Sequence, residues 1–202
     1  MIISHRKKFA FFANPKTGSK AVGLTLRLSG IFDQDDIMSA QPFPATRTAR
    51  IELPEYNLNG HKTYLVDHMN PAEAIEAGFI TLEQLREYNC YAFLREPEER
   101  FYAAEVCMQI NRHGQIAALE DLGELTAPPQ HTYFFVDGEQ VVTPLDFGHL
   151  EMEMKFVLSE LGATQTEIPQ VRKIVRANMV YDVLYEPSEH MEDILFYKNM
   201  IQ

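Results

Sequence analysis

A chain of 202 residues with a formal net charge of −11, 46% hydrophobic and 23% charged residues, has the make-up of one soluble domain whose core can stand without disulfides. The acidic balance excludes a non-specific nucleic-acid binder and a protein drawn to anionic membrane surfaces, since both need a surplus of cations. The apolar run Phe9 to Ala13 behind Arg6-Lys7-Lys8 is too short for a leader's apolar segment or a membrane span. A single domain over 1–202 with a cytoplasmic location is therefore expected. Cys90 and Cys107 read as reduced residues buried in a strand and a helix.

Residues 8–14, almost wholly apolar and aromatic, predict a buried first strand. Residues 19–29 predict a helix closed by Gly30. Pro42, Pro44 and Pro54 break residues 31–60 into loops with one or two short strands. Asn70 and Pro71 start a helix to Ala77, and Thr81 with Gln84 forms a capping box for a helix over 82–88. Cys90 to Leu94 predicts a second buried strand. Pro97 to His113 predicts a helix, with Glu98 and Glu99 favouring its first turn and Gly114 stopping it. Residues 133–136 and 140–143 predict a hairpin turning at Asp137-Gly138. Leu150 to Leu161 is amphipathic, with Met154, Val157, Leu158 and Leu161 on one stripe. A last helix spans 187–200. Strands alternating with helices predict a three-layer α/β/α fold around a mostly parallel central sheet, whose ligands collect at the carboxyl ends of the strands.

Two stretches at such strand ends carry chemistry. Asn14-Pro15-Lys16-Thr17-Gly18-Ser19-Lys20 runs from the first strand into a helix. That arrangement points backbone N–H groups and the positive end of a helix dipole at one spot, and a lysine and two hydroxyls there fit a phosphate. It is not a G-x-x-x-x-G-K-[ST] loop, so a nucleoside-phosphate kinase lacks its metal-binding hydroxyl here. Leu94-Arg95-Glu96-Pro97-Glu98-Glu99-Arg100-Phe101 puts an arginine fork beside a second helix start, which suits a second phosphate. Two phosphate sites imply a nucleotide with phosphates at both ends of its ribose.

On these residues the chain resembles the carbohydrate branch of the sulfotransferase superfamily. Members carry (I/N)-P-K-T-G-(G/S/T)-(T/S) after the first strand, then (V/L)-R-(D/N)-P-x-x-R-(F/L)-x-S. Pro15 to Ser19 match the first pattern, and Arg95, Pro97, Arg100 and Phe101 the second, about 80 residues later. Gly60-His61-Lys62-Thr63-Tyr64, Gln130 to Phe134, Asp137-Gly138, Asp146 to Glu151 and Tyr185 with the last helix extend the likeness over nearly the whole chain. The resemblance implies a P-loop-like fold and transfer of a sulfuryl group from 3′-phosphoadenosine 5′-phosphosulfate (PAPS) to a hydroxyl or amine, leaving PAP. The acceptor would be a small molecule or a glycan.

The same resemblance assigns roles. Lys16 stabilises the leaving phosphate. Thr17, Gly18, Ser19 and Lys20 cradle the 5′-phosphate, while Arg95 and Arg100 hold the 3′-phosphate. Either arginine could instead pair within its helix, Arg95 with Glu98 or Glu99 and Arg100 with Glu96. His61 leads as the base that takes the acceptor's proton; His68, Asp67 and Glu105 are the alternatives. Gln130 and His131 either line the acceptor side or serve as caps or loop residues, and no metal is required. Two positions depart from the family: Lys20 replaces a hydroxyl, and Ala103 replaces the serine eight positions after the motif arginine. They leave open a PAP-binding or interaction protein that does not turn over.

Overall fold

A computed structural model of the chain describes residues 1–33, 36–38, 50–52, 63–65, 68–104, 128–163 and 187–201. β1 (Ile2–Ser4) pairs antiparallel with β2 (Phe9–Phe11), turning through Lys8 at φ 47. The chain then enters α1 (Ser19–Leu28) and returns as β3 (Ile37–Met38). β4 (Arg50–Glu52) and β5 (Thr63–Leu65) form a separate antiparallel pair.

Two short helices follow, and both begin on their own side chains. Asn70 accepts the Glu73 N–H at 2.9 Å while Glu73 accepts the Asn70 N–H at 2.9 Å, opening α2 (Pro71–Glu76). Thr81 and Gln84 exchange the same bonds at 3.2 and 2.9 Å to open α3 (Leu82–Glu87). Each box satisfies two N–H groups that have no intrahelical partner. β6 (Asn89–Leu94) comes next, then a helix described over 97–104, termed α4.

The chain re-enters at a 3₁₀ turn, Gln130–Tyr133, followed by the two-residue strands β7 (Phe135–Val136) and β8 (Glu139–Gln140). β9 (Thr143–Asp146) leads through the 3₁₀ turn Phe147–His149 into α5 (Leu150–Glu160). A 3₁₀ turn at Pro187–His190 opens α6 (Met191–Ile201).

The main sheet has the order β3-β1-β2-β6-β9. β2–β6 and β6–β9 pair in parallel, and β1 opposes both of its neighbours. Four of the five strands thus run one way. The register sets Phe11 beside Tyr91 and Leu94 beside Asp146, so the carboxyl ends of β2, β6 and β9 lie in a row.

Side chains alternate between the two faces, as the period of a strand requires. On one face Phe9, Phe11, Tyr91, Phe93 and Leu145 pack with Val22 and Leu26 of α1 and Met154, Val157 and Leu158 of α5. On the other, Ala10, Phe12, Cys90, Ala92 and Leu94 pack with Ala74 of α2, Leu85 of α3, Tyr133, Phe134 and the half-buried Phe196 and Tyr197 of α6. The α5 stripe is as expected: Met154 is buried while Met152 is 62% exposed.

Two expectations are corrected. Of residues 140–143 only the first part belongs to the second strand of the hairpin. The expected hairpin turning at Asp137-Gly138 is present as β7 and β8, and one further bond, from the Val141 N–H to the Phe134 carbonyl at 2.9 Å, extends it, while Thr143 to Asp146 joins the main sheet instead. β1 is an added strand ahead of the one predicted at 8–14. The helix of 97–113 beyond residue 104, Cys107, and most of 31–60 lie outside the described residues. Among the described residues no helix is long and apolar enough to cross a membrane.

Candidate functional site

The turn after β2 is built by its own backbone. Lys16 sits at φ 66 and Gly18 at φ 73, with Thr17 on the ordinary side between them. A non-glycine residue held there costs about 1–2 kcal/mol. Alternation of hand over successive residues turns their N–H groups toward one side, the geometry of an anion-binding nest. The Thr17 hydroxyl is buried and donates to the Asn14 carbonyl at 2.7 Å. Thr17 therefore pins the turn with its side chain, and its backbone N–H is what it can offer a ligand.

Gly18 is the N-cap of α1. It supplies no capping side chain, and the first turn contains no acid. A helix start of this kind leaves positive potential for an outside anion. Gly18 is required twice over. Its φ favours glycine, and an added Cβ would meet the Phe147 ring at 2.9 Å. Ser19 is the first residue of α1 and Lys20 the second. Among the described residues the half-buried Lys16 takes part in no ion pair.

Arg95 follows β6 as the turn follows β2, on the adjacent strand end. Its Nη1 donates to the Lys16 carbonyl at 2.8 Å. Its guanidinium carbon lies 4.5 Å from the centre of the Phe147 ring, and Nε reaches Glu99 at 3.3 Å. The ion pair at i, i+4 is thus with Glu99, one of the two glutamates expected as alternatives. Glu96 accepts the Glu99 N–H at 2.7 Å, so the start of α4 is capped by its own carboxylate. The second helix dipole expected to face a phosphate is answered internally.

Gln130 ties the two turns together from beneath. Its Oε1 accepts from the Arg95 backbone at 3.0 Å and from Asn14 Nδ2 at 3.2 Å, and its Nε2 donates to the Arg95 carbonyl at 2.8 Å. Asn14 Nδ2 also donates to the Phe93 carbonyl at 2.9 Å. Gln130 is fully buried and braces the turns, the loop-holding alternative to a place on the acceptor side. His131 is more open. It lines a hollow of about 530 Å³ with Asn70, Thr132, Phe135 and Asp137, and its Nδ1 stands 3.1 Å from Glu192.

Arg100 differs from its expected role. It is 5% exposed, and its donors face protein groups: Nε to the Pro15 carbonyl at 3.2 Å, Nη1 to Asp193 at 3.1 Å, Nη2 to Asn14 Oδ1 at 3.2 Å and to the Pro128 carbonyl at 2.7 Å. Burial pushes its pKa below the ordinary guanidinium value, and Asp193 beside it pulls the other way. Arg100 holds the loop in shape from the protein side. The expected pairing with Glu96 is replaced by the pair with Asp193, which also accepts the Gln130 N–H at 2.7 Å.

Of the base candidates, His68 is described. Its Nδ1 lies 2.7 Å from the Ala13 carbonyl. A carbonyl only accepts, so Nδ1 carries the proton, and in the neutral ring Nε2 is the basic nitrogen. The His68 carbonyl accepts the Tyr133 hydroxyl at 2.6 Å, which fixes the residue beside the start of the loop. Burial pushes the Tyr133 phenol well above its usual value, so it stays a neutral donor. His61, Asp67 and Glu105 lie outside the described residues. Among the described residues no group of three or more His, Cys, Asp or Glu side chains is placed to hold a metal ion.

Phe147, quoted within the Asp146 to Glu151 block, and Asp193, on the last helix, are the residues to which motif reading gave no role. They act across separations of 93 positions for Arg100 and Asp193 and carry no local pattern that would announce it. No family model matches this chain, and no curated protein or solved structure matches it.

Proposed function

We propose that this chain is a PAPS-dependent sulfotransferase of P-loop-like, three-layer α/β/α fold, transferring a sulfuryl group in the cytoplasm to a hydroxyl or amine of a small-molecule or glycan acceptor. One observation carries the reading. The Arg95 Nη1 donates at 2.8 Å to the backbone carbonyl of Lys16, 79 positions away, so the two turns adjoin at neighbouring strand ends. A single bisphosphorylated nucleotide spanning the two turns is the ligand that this adjacency suits. Helices packed on both faces of the sheet support the fold part of the proposal.

In the reaction the acceptor oxygen bonds to sulfur as the bond from sulfur to the donor's 5′-phosphate oxygen breaks, and its electron pair leaves on that oxygen. Lys16 and the N–H groups of Thr17, Gly18, Ser19 and Lys20 meet the charge that develops there. Arg95 anchors the 3′-phosphate, and Arg100 keeps the loop in register beneath it. The acceptor's proton passes to a histidine, His61 or His68; for His68 the Nδ1 bond to Ala13 presents Nε2 as the proton acceptor. Lysine and the helix start supply the positive field, so the proposal invokes no metal.

The test compares PAP, AMP and ATP with magnesium as thermal stabilisers, then follows label from radiolabelled PAPS into candidate acceptors and a cell extract. PAP is expected to stabilise the chain, and Lys16→Ala to lower transfer by about 10²–10³ without loss of fold. Stabilisation by ATP with magnesium but not by PAP overturns the proposal. A second reading, PAP binding without turnover, is favoured by Ala103 in place of the family's serine on α4. PAP binding with no label transferred to any acceptor would select it.

A further inference from the structure

Three of the groups that meet the Arg95 side chain among the described residues are of unequal kind. The Lys16 carbonyl, at 2.8 Å, belongs to the braced turn. The Phe147 ring, 4.5 Å away, is packed against Gly18. Neither can leave without disturbing the loop. The third, the Glu99 carboxylate at 3.3 Å, is a flexible side chain 56% exposed, whereas the Arg95 side chain is only 13% exposed. Of the three, Glu99 alone can be exchanged for another anion while the guanidinium stays where it is.

We propose that Glu99 is a built-in competitor for the second phosphate: its carboxylate occupies Arg95 until a ligand phosphate displaces it, so that only a strongly charged group gains the anchor. The inference rests on the nucleotide-binding reading above and adds the specificity of its 3′ end. A phosphate carries more charge and more acceptor oxygens than a carboxylate and outcompetes it at a guanidinium fork. A neutral 3′-hydroxyl cannot. The Glu99 pair thus sets a threshold at the anchor: it turns away weaker anions, lowers affinity somewhat for a ligand phosphate, and leaves a nucleotide with a neutral 3′-hydroxyl untouched. Two more acids stand on this side of the sheet end. Burial raises the Tyr197 phenol of α6, and Asp146, Glu96 and Glu99 add to that rise, so these carboxylates lie near one another around Tyr197.

The test is calorimetric binding of PAP and AMP to the full chain, unchanged and as Glu99→Gln and Glu98→Gln. Glu98 is exposed on the same turn, and its variant removes the same charge without touching the Arg95 pair. Because exposed ion pairs are weak, the expected gain is modest: PAP binds about two- to fivefold tighter to E99Q, AMP binds unchanged, and E98Q matches the parent. Equal gains in E98Q and E99Q, or equal gains for PAP and AMP, reduce the effect to net charge and overturn the competitor role. An unchanged PAP affinity in E99Q overturns it too while leaving the nucleotide site standing. If PAP binds none of the three proteins, the site itself falls and the competitor with it.

Discussion

Arg100 and Asp193 offer the sharpest check on how the loop is held. Replacing Arg100 with Met leaves Asp193, whose side chain is 13% exposed, without its cation. It also leaves the Pro15 and Pro128 carbonyls and Asn14 Oδ1 one donor short each. Removing one partner of a buried pair costs about 3–5 kcal/mol. In a chain of this size each kcal/mol shifts the melting midpoint by about 2–4 °C, so R100M is expected to melt roughly 6–20 °C lower. Asp193→Asn keeps an oxygen for the Gln130 N–H and loses only the charge. The double variant R100M/D193N should therefore cost less than the two single losses together, by about 1–3 kcal/mol. Urea melts of the four proteins give the coupling. Lysine at position 100 should recover little, because a point ammonium cannot meet carbonyls in several directions. A loss in R100M below about 1 kcal/mol, far under the cost of exposing a buried charge, or single losses that simply add, would refute the bracing role.

Two other outcomes follow from the turn and the core. Gly18→Ala is expected to lose about 2–4 kcal/mol, from positive φ and from the clash with Phe147 together; Phe147→Leu in the same chain should return part of it, and an unshifted melt in G18A would sink the argument. Burial pushes the Cys90 thiol up to about 12. A raised folded value means that its contribution is intact below the ordinary thiol range and is lost as pH climbs from about 9 toward 12, because the unfolded chain gives up the proton first. Urea melts at rising pH should show stability falling more gently in Cys90→Ala than in the parent; parallel slopes would count against it. Tyr133, also raised, adds a decline of the same sign in both proteins.

The strands at 9–11 and 89–94 and the helices at 19–28 and 150–160 were legible because an apolar period and a cap or stop coincide at each. Thr81 and Gln84 were readable as a pair because a capping box spans only three positions. What escaped reading acts at long range or contradicts a local rule. β9 contains Pro144, which argues against a strand, yet its register beside Ala92 places it in the main sheet. Arg100 matched a motif position, but its depth follows from Asp193, on the last helix. Gln130 stayed open between a lining and a loop-holding role because its reach back to Asn14 spans 116 positions. At the site, the residue types at the strand ends were visible beforehand. The distinction between a group that faces a ligand and one that braces the loop was not, since burial is a property of the assembled core.

Pro144 has a consequence for the protein's life in concentrated solution. Among the described residues β9 is the outermost strand on its side of the sheet, the place where a stray chain could dock and begin a fibre. A proline there withholds a backbone donor, and Asp146 ends the strand on a carboxylate. Both blunt the template that an open rim presents, so this flank resists polymerising with its copies.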